Sequence, residues 1–400
     1  MADASPTPLV AIACGGTGGH LFPGLAVAEA LQGRGGRVQL LVSAKEVDQQ
    51  VVRALRGMEV LTLPAAPPSW RRFPAFVRSF AASWRGARTA FRCHRPSALL
   101  AMGGFMAAPT ALAARAERVL IFLHEANSIP GRANRWLAPL AREVYVYFPE
   151  AARRWEPWHP QRIGMPVRTM FQPLDPAPCR TALGLDPDKP VLLVMGGSQG
   201  ASPLNRVVLQ TLSAFAAHEP SLQFLHLTGP AEVERVRQAY EHHRRRAVVH
   251  PFLTEMDLAF GAATVAVTRA GASSLAEQAA MRVPSVLIPY PQAADDHQDH
   301  NARAFVETGA ARMLRQAEAT PEALLREVRG LLHDAAARCA LQAALGSWHQ
   351  PDAAERIAQR LLNTLAARTA RSRPDALPPR MGLDPLTPEP SSTHSHARPD

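Results

Sequence analysis

The sequence has few lysines, no paired cysteines and no long apolar run. Only Lys45 and Lys189 are lysines, so arginine carries the net charge of +10, and arginine suits bidentate contacts with phosphate. The four cysteines form no CxxC pair and have no histidine at ligand spacing, which argues against a zinc site or a disulfide framework. No signal peptide pattern and no apolar run of ~20 residues, the length that spans a bilayer, is present. We therefore expect a soluble or peripheral protein in the cytoplasm.

Acidic residues are also missing from a long stretch of the first half. Between Glu59 and Glu117 there is none, while seven arginines accumulate at residues 71–95 and aromatic residues recur at helical spacing among them. This composition is typical of an interfacial helix on anionic lipid. The predicted membrane contacts are Trp70, Arg72, Phe73, Phe76, Phe80, Trp84 and Arg85. The alternative is that the apolar stripe packs into the core and the arginines are solvated. No nucleic-acid motif accompanies the charge, so we expect no nucleic-acid partner.

Short apolar runs that end at glycine or polar clusters occur in two series. The first series comprises residues 9–13, 38–42, 99–102, 119–123 and 143–148, and the second comprises 191–195, 223–227, 247–250, 265–268 and 285–288. Apolar strands that alternate with helices predict parallel sheets covered on both faces. We therefore predict an α/β fold of two doubly wound, Rossmann-like domains, with ligands bound in the cleft beyond the carboxyl ends of the strands.

A proline-rich stretch at residues 150–180 separates the two series. We predict a first domain at 1–166, a second at 167–345, and a helix at 346–367 that packs back on the first domain. Residues 368–400 are rich in Pro, Ser and His. Because their apolar content is too low to offset the entropy of ordering, this tail is predicted to be disordered.

The turn GGTGGH, residues 15–20, joins the first predicted strand to a helix. Its amides and the helix N-terminus can face an anion, but it has neither the frame of a dinucleotide fingerprint nor the GK[ST] of a P-loop. The glycines allow a bulky substrate to approach the backbone. His20 stands at the helix entrance, and because an imidazole ordinarily titrates near neutral pH, it is a candidate general base. The simpler interpretation is that His20 caps the turn.

Three polar clusters in the second series offer complementary chemistry. GGSQGA at 196–201 suits a diphosphate, because it combines glycines, a hydroxyl and a helix start. In RAGASSLAEQAA at 269–280, Ser273 and Ser274 precede Glu277, whose carboxylate can accept two hydrogen bonds from a ribose diol. The alternative for Glu277 is an ordinary carboxylate near a helix N-terminus. In PYPQAADDHQDHNA at 289–302, Gln298 is a candidate contact to a sugar.

The adjacent pair Asp295–Asp296 lacks the spacing of a metal-binding DxD motif, so we expect no metal and no cofactor. Charge on a leaving group must then be met by helix dipoles, amides and an arginine. Arg168, in the segment GMPVR, is the candidate for that role.

The ordered set GGTGGH(x)FPG, HE(x)N, G(x)PVR, GGSQGA, RAGAS(x)(x)(x)E and PYP(x)AADDHQ(x)(x)NA resembles the MurG family from about residue 9 to residue 365. The resemblance implies a GT-B fold and an inverting transferase. Such an enzyme moves GlcNAc from UDP-GlcNAc to the C4 hydroxyl of undecaprenyl-pyrophosphoryl-MurNAc-pentapeptide (lipid I), giving lipid II for peptidoglycan synthesis. It further implies an acceptor- and membrane-side first domain, a UDP-sugar-binding second domain, and peripheral attachment at the cytoplasmic face of the inner membrane. Other cell-wall synthesis proteins are implied as further partners.

The same resemblance implies a role for each site residue. His20 would be the catalytic base, Arg168 and Ser198 would contact the diphosphate, and Leu253 would lie near the uracil. The implied donor-site residues are Thr17, Gly18, Gly19, Asn127, Arg168, Ser198, Leu253, Ala272, Ser273, Ser274, Leu275, Ala276, Glu277 and Gln298. Two positions depart from the family pattern, which usually has Gln in place of Ala126 and Asn in place of Met165.

Three other functions suit the same architecture. The first is another GT-B transferase, acting on diacylglycerol or a secondary metabolite. The second is a UDP-GlcNAc 2-epimerase, which needs carboxylates in the cleft for proton abstraction at C2, whereas the first glycine turn carries a histidine. The third is a non-catalytic UDP-sugar sensor, in which His20 would be dispensable.

Overall fold

The computed structural model describes residues 7–16, 18–44, 58–64, 73–197 and 200–371. Within these ranges the chain forms two parallel β-sheets with helices packed on them, which confirms the predicted α/β class. Thr17, Trp70, Arg72 and Ser198 lie outside the described residues, as does the segment 372–400, so what was predicted for them stays a prediction.

The first sheet has seven parallel strands in the order β3-β2-β1-β4-β5-β6-β7. The strands are β1 (Leu9–Ala13), β2 (Arg37–Ser43), β3 (Glu59–Leu63), β4 (Ala98–Ala101), β5 (Leu120–Glu125), β6 (Glu143–Val146) and β7 (Gln161–Arg162). The helices are α1 (Gly18–Gly33), α2 (Phe73–His94), α3 (Gly104–Ala116), α4 (Arg132–Leu137) and α5 (Pro149–Arg154). All five residues of β1 are buried, as expected for a central parallel strand that is covered on both faces.

The strand order determines which face of this sheet each helix covers. From β1 to β3 the chain advances in one direction along the sheet, and from β3 to β7 it advances in the other. Right-handed connections therefore place α1 on one face and α2 to α5 on the opposite face. The cores agree, because Phe91 of α2, Met106 of α3 and Leu137 of α4 share one cluster, while Leu25 of α1 belongs to another.

The second sheet has six parallel strands in the order β10-β9-β8-β11-β12-β13. The strands are β8 (Val191–Met195), β9 (Gln223–Leu227), β10 (Ala247–His250), β11 (Val265–Thr268), β12 (Ser285–Leu287) and β13 (Arg312–Met313). The helices are α6 (Pro176–Ala182), α7 (Ser202–His218), α8 (Val233–His242), α9 (Met256–Ala262), α10 (Ala272–Met281), α11 (His297–Glu307), α12 (Pro321–His333), α13 (Ala335–Trp348) and α14 (Ala353–Arg371). Short 3-10 turns occupy Ala138–Leu140, Glu156–Trp158 and Ala294–Asp296.

The last helix returns to the first sheet. α14 buries Ile357 and Leu361 in the same cluster as Leu25 of α1. A helix was predicted over 346–367, but α13 ends at Trp348 and α14 begins at Ala353. Pro351 accounts for the break, because proline lacks the N–H that a continuous helix needs.

An aromatic cluster joins the two sheets beside the connecting segments. Trp348 stacks on Phe305 of α11 with ring centroids 4.3 Å apart. The same indole lies 5.3 Å from the ring of Phe148 and 5.6 Å from that of Tyr147, both of which follow β6. Its N–H also donates to Thr308 at 2.7 Å. This cluster fixes the first sheet relative to the second, with the carboxyl ends of their strands facing a common cleft.

Candidate active site

The two glycine-containing turns singled out in the sequence meet across this cleft. The Ser273 hydroxyl, at the start of α10, donates to the carbonyl of Gly19, at the start of α1, at 2.8 Å. Two helix N-termini, one from each sheet, therefore converge at one place. Their first amide groups have no intrahelical acceptor, and their dipoles favour negative charge there.

A cavity of about 320 Å³ lies beside this contact, within the size range of small-molecule sites. Seven predicted donor-site residues line it, namely Gly18, Gly19, Ala272, Ser273, Ser274, Glu277 and Gln298. Gly196 and Gly197 of the predicted GGSQGA turn also line it. Most of the remaining lining is apolar and was not predicted; it includes Phe22, Met195, Leu227, Pro251, Phe252 and Met256. One apolar wall facing several polar groups can hold a ligand that has both a flat ring and hydroxyl or phosphate groups.

The periodicity of α10 divides its predicted site residues between two faces. Ser273, Ser274 and Glu277 line the cavity, because residues four apart lie on the same side of a helix. Leu275 and Ala276 lie on the other side, buried in the core. Of the six predicted residues in α10, the structure therefore brings four, counting Ala272, to the cavity and turns two away from it.

Glu277 and Arg168 form the charged part of the site. Burial raises the pKa of Glu277 to about 7, and the positive charge of Arg168 opposes that rise. The Arg168 guanidinium lies between two rings, 4.7 Å from the centroid of Phe22 and 5.2 Å from that of Phe171. Because Glu277 sits near its midpoint at neutral pH, a ligand that donates hydrogen bonds to the carboxylate favours its ionised form.

Gln298 is held with a defined orientation at the cavity wall. Its side-chain oxygen accepts from the amides of Ala270, at 3.2 Å, and Tyr290, at 3.0 Å. Backbone amides can only donate, so the oxygen of the side chain is fixed on that side. Gln298 therefore has an NH₂ group with which to meet a ligand hydroxyl in the cavity.

His20 belongs to the first turn of α1, and its ring packs against the turn that follows β4. A Cβ atom added to Gly103 would stand 3.0 Å from His20 Nε2, and Gly103 has a φ of +102°, so only glycine allows this close approach. The neighbouring His124 is fully buried, and desolvation lowers its pKa to about 4, opposed by its hydrogen bond to the carbonyl of Gly164 and reinforced by the charge of His20. His124 is therefore neutral at pH 7, while the half-buried His20 is the imidazole at the cleft.

The HEANS segment forms a loop organised by the buried Glu125. Its carboxylate accepts from the amides of Asn127 and Gly131, both at 2.9 Å, and from the side chain of Asn134 at 3.0 Å. Burial raises the pKa of Glu125 and these donors oppose the rise. The Asn127 side chain donates to Glu125 and accepts from Asn301. Asn127 therefore belongs to the seam between the sheets and does not line the cavity beside α10.

Asn301 is a residue of this seam that we did not predict. It accepts from the amide and hydroxyl of Ser128, both at 2.9 Å, and donates to Asn127 at 3.1 Å and to the carbonyl of Ala270 at 3.2 Å. The sequence did contain a signal for it, because Asn301 belongs to the last two residues, NA, of the segment that begins with PYP. An asparagine that is buried there needs several hydrogen-bond partners. Asn301 connects the loop after β5 to the turn before α10.

Asp295 is committed to an ion-pair cluster across the same seam. It binds Arg132 at 3.0 Å and Arg135 at 2.5 Å, both from α4, and these partners, Arg132 first, lower its pKa. In the described ranges no group of three or more His, Cys, Asp or Glu side chains could hold a metal ion.

Three other predicted positions lie in the packing around the cavity. Leu253 is half-buried against the core of the second domain, and its neighbour Phe252 lines the cavity instead. Ala126 and Met165, the two departures from the family pattern, are 5% and 2% exposed in one core cluster. Apolar side chains at both positions are thus accommodated by packing.

Helix α2 presents part of its predicted stripe to the surface. Phe73 is 51% exposed and Val77 45%, and no side chain of this helix before Ser83 is buried. Phe76 and Phe80 are half-buried and Arg85 is exposed. Trp84 packs partly on the core, with the Arg88 guanidinium over its ring at 5.2 Å. Of the helices described, none is both long and apolar enough to cross a membrane.

Known proteins are similar in sequence to this chain along most of its length. Residues 10–146 match the glycosyltransferase family 28 N-terminal domain, and residues 191–357 match the glycosyltransferase family 28 C-terminal domain. A Halorhodospira halophila protein named "UDP-N-acetylglucosamine--N-acetylmuramyl-(pentapeptide) pyrophosphoryl-undecaprenol N-acetylglucosamine transferase" is 39% identical over 362 residues, covering 87% of this chain and 96% of that protein. The protein of the same name from Acidithiobacillus ferrooxidans is 40% identical over 358 residues, with 87% and 96% covered.

Solved structures are also similar to this chain along most of its length. The crystal structure of Acinetobacter baumannii MurG matches with a TM-score of 0.66 and 26% identity, covering 90% of this chain and 100% of that one. The co-structure of S. aureus MnaA with UDP matches with a TM-score of 0.67, covering 90% and 97%, but at 13% identity this likeness concerns the fold alone. The chain belongs to glycosyltransferase family 28 and, within it, to the MurG family.

Proposed function

We propose that this chain is an inverting glycosyltransferase that moves GlcNAc from UDP-GlcNAc to the C4 hydroxyl of lipid I, giving lipid II. One observation carries the proposal: the turn that holds His20 and the turn that leads to Glu277 touch across the cleft, through the bond from Ser273 to Gly19. A base on one domain is thereby brought beside a nucleotide-sized cavity on the other. The reaction would serve peptidoglycan synthesis, and through it cell shape and division.

In this proposal the donor binds in the cavity lined by α10. The carboxylate of Glu277 accepts hydrogen bonds from the ribose hydroxyls, and the NH₂ group of Gln298 donates to a hydroxyl of GlcNAc. Phe252 and the apolar residues around it cover the uracil. The first amides of α10, among them that of Ser273, and the hydroxyl of Ser274 receive the diphosphate. Thr17 and Ser198 are proposed to complete the donor site.

His20 then acts as the general base. Its imidazole accepts the proton of the acceptor hydroxyl as the oxygen attacks the anomeric carbon and the bond to UDP breaks. The departing diphosphate gains negative charge, which the Arg168 guanidinium and the two helix N-termini stabilise. Asp295 is already bound by Arg132 and Arg135, so we assign it no metal-binding role. Asn127 is proposed to position the loop next to His20 through Glu125.

The acceptor is lipid-linked, and we propose that helix α2 brings the protein to the cytoplasmic face of the inner membrane. Its exposed residues Phe73 and Val77 offer an apolar surface, and Phe76 and Phe80 contribute their half-buried rings. The segment contains no acidic residue, so anionic headgroups meet only arginine. Trp70, Arg72, Trp84 and Arg85 would complete the patch. Other cell-wall synthesis proteins are proposed partners at the same surface.

The proposal is tested with the purified full chain, labelled UDP-GlcNAc and a lipid I analogue in the presence of EDTA. The expected product is labelled lipid II analogue, formed without added metal. A parallel reaction offers diacylglycerol as the acceptor, and a transferase for that lipid would label it and leave the lipid I analogue unlabelled. An epimerase would convert UDP-GlcNAc to its C2 epimer without an acceptor, and a sensor would bind the nucleotide sugar without turnover. Each of these three outcomes overturns the proposal.

A further inference from the structure

Trp136 is the most exposed large apolar side chain among the described residues, at 84% exposure. It lies on α4, which follows directly after the Glu125 loop at the edge of the cleft. A tryptophan carries about 150–250 Å² of surface whose burial is favourable, so an uncovered indole indicates a contact outside the chain.

The charged residues that flank Trp136 in the sequence are all basic. Between Glu125 and Glu143 there is no acidic residue, but there are arginines at 132, 135 and 142. The side chains of Arg132 and Arg135 are 75% and 47% exposed. They share the single carboxylate of Asp295, so the cluster keeps a net positive charge. An exposed indole between arginines is complementary to a surface that carries negative charge and has an apolar layer beneath it.

Trp136 lies in the same helical layer as the proposed membrane helix α2. The right-handed connections put α2, α3 and α4 on one face of the first sheet, and α3 packs against both neighbours. Leu112 of α3 is 40% exposed. The layer therefore presents apolar side chains on three consecutive helices, while α1 and α14 cover the opposite face.

We propose that Trp136, with Arg132 and Arg135, is a second contact with the anionic lipid surface, so that the protein binds by two points of the layer α2 to α4. This rests on the membrane contact of the proposed function. The indole has an apolar body and a polar N–H, which suits the headgroup region of a bilayer, and arginines add electrostatic attraction to lipid phosphates. Two points orient the protein, whereas one would leave it free to pivot. The contact brings the loop after β5, at the edge of the cleft, to the surface where a lipid-linked acceptor resides.

The test measures partition of the full chain onto vesicles of phosphatidylcholine with and without phosphatidylglycerol. Trp136→Ala is expected to weaken partition onto the anionic vesicles about tenfold, because part of the indole surface loses its apolar environment. The matched control is Trp158→Ala, since Trp158 is 40% exposed but shares a short 3-10 turn with Glu156; it is expected to partition like the wild type. Turnover of a soluble acceptor analogue by Trp136→Ala is expected to match the wild type, which verifies that the variant is folded.

A Phe73→Ala variant separates this proposal from the one on which it rests. If Phe73→Ala weakens partition and Trp136→Ala does not, the second contact is refuted, α2 remains the membrane contact, and Trp136 is left to a protein partner. If Trp158→Ala weakens partition as much as Trp136→Ala, the effect is not specific to the site and the proposal is equally refuted. If the wild-type chain shows no preference for anionic vesicles, both the second contact and the proposed membrane contact of α2 are wrong.

Discussion

Replacing Glu277 by Gln is expected to stabilise the unliganded protein above pH 7 while weakening its binding of UDP-GlcNAc. The pKa of Glu277 is raised from 4.5 to about 7 by burial in the cavity wall. Between these values the folded chain holds a proton that the unfolded chain has released, so the free energy of unfolding falls as the pH rises. Above about pH 7 the loss is complete. At about 1.4 kcal/mol per pH unit, and allowing for the contact of Glu277 with solvent in the cavity, we expect a loss of about 1–3 kcal/mol.

The assay is denaturant unfolding of the wild type and Glu277→Gln at several pH values from about 5 to about 8. Glutamine has no proton to release, so the stability difference between variant and wild type should grow through this window to about 1–3 kcal/mol. Glu241→Gln is the matched control, because Glu241 is exposed on α8, and it should show a small, constant difference. A constant difference for Glu277→Gln across the whole range would refute the reasoning.

The same titration predicts the pH dependence of donor binding, with the opposite sign. The ribose hydroxyls need an ionised acceptor, so the affinity for UDP-GlcNAc should rise about tenfold between about pH 6 and about pH 8. Glu277→Gln should bind the donor weakly and without that dependence. Equal affinity of the wild type at both pH values would contradict the assignment of Glu277 to the ribose.

Further variants test the turn at His20 and the seam between the sheets. Gly103→Ala should lower kcat at least tenfold, because the added Cβ would lie 3.0 Å from His20 Nε2 and displace the ring. Gly35→Ala is the control, since Gly35 also has a positive φ but a Cβ there would have no atom within 4 Å. It should lower the free energy of unfolding and leave kcat unchanged. Asn301→Ala should lower the free energy of unfolding by about 2–4 kcal/mol, since it leaves buried partners unpaired, and a loss within about 0.5 kcal/mol would contradict the hydrogen bonding described. Trp348→Ala should cost about 3–5 kcal/mol by emptying the aromatic cluster, and denaturant unfolding measures both losses.

The central strands of both sheets were predictable because a strand covered on both faces must be apolar along its length. β1, β8 and β9 were predicted at the observed residues. The edge strands were predicted less well. β10 was predicted at its observed residues, but β3, β7 and β13 were not. β7 and β13 are two residues long and polar or mixed, and such pairs carry no periodic signal.

The cavity was predictable where side-chain chemistry is tied to a turn. Glu277 and Gln298 lie in the segments that follow β11 and β12, each close to the start of a helix, and both line the cavity. The apolar wall at Phe252 was missed because neither its spacing nor its residue type distinguishes it from the core. The pairing of Asp295 with Arg132 joins residues that are 163 positions apart, a distance at which only the folded arrangement of the two sheets brings side chains together. Leu275 was predicted to lie in the site because it belongs to the continuous motif from Ala272 to Glu277. The helical periodicity of α10 instead directs its side chain to the core.

The role of His20 is the central claim, and the most direct test is to measure kcat and the donor Kd of His20→Ala in parallel. Its Nε2 lies at the Gly103 turn beside the cleft, while the proposed donor contacts come mainly from the second domain. The account predicts that kcat with the lipid I analogue falls about 10²–10⁴-fold, while the Kd for UDP-GlcNAc changes by less than about threefold. A kcat close to that of the wild type would contradict it, and so would a loss of donor binding as large as the loss of turnover.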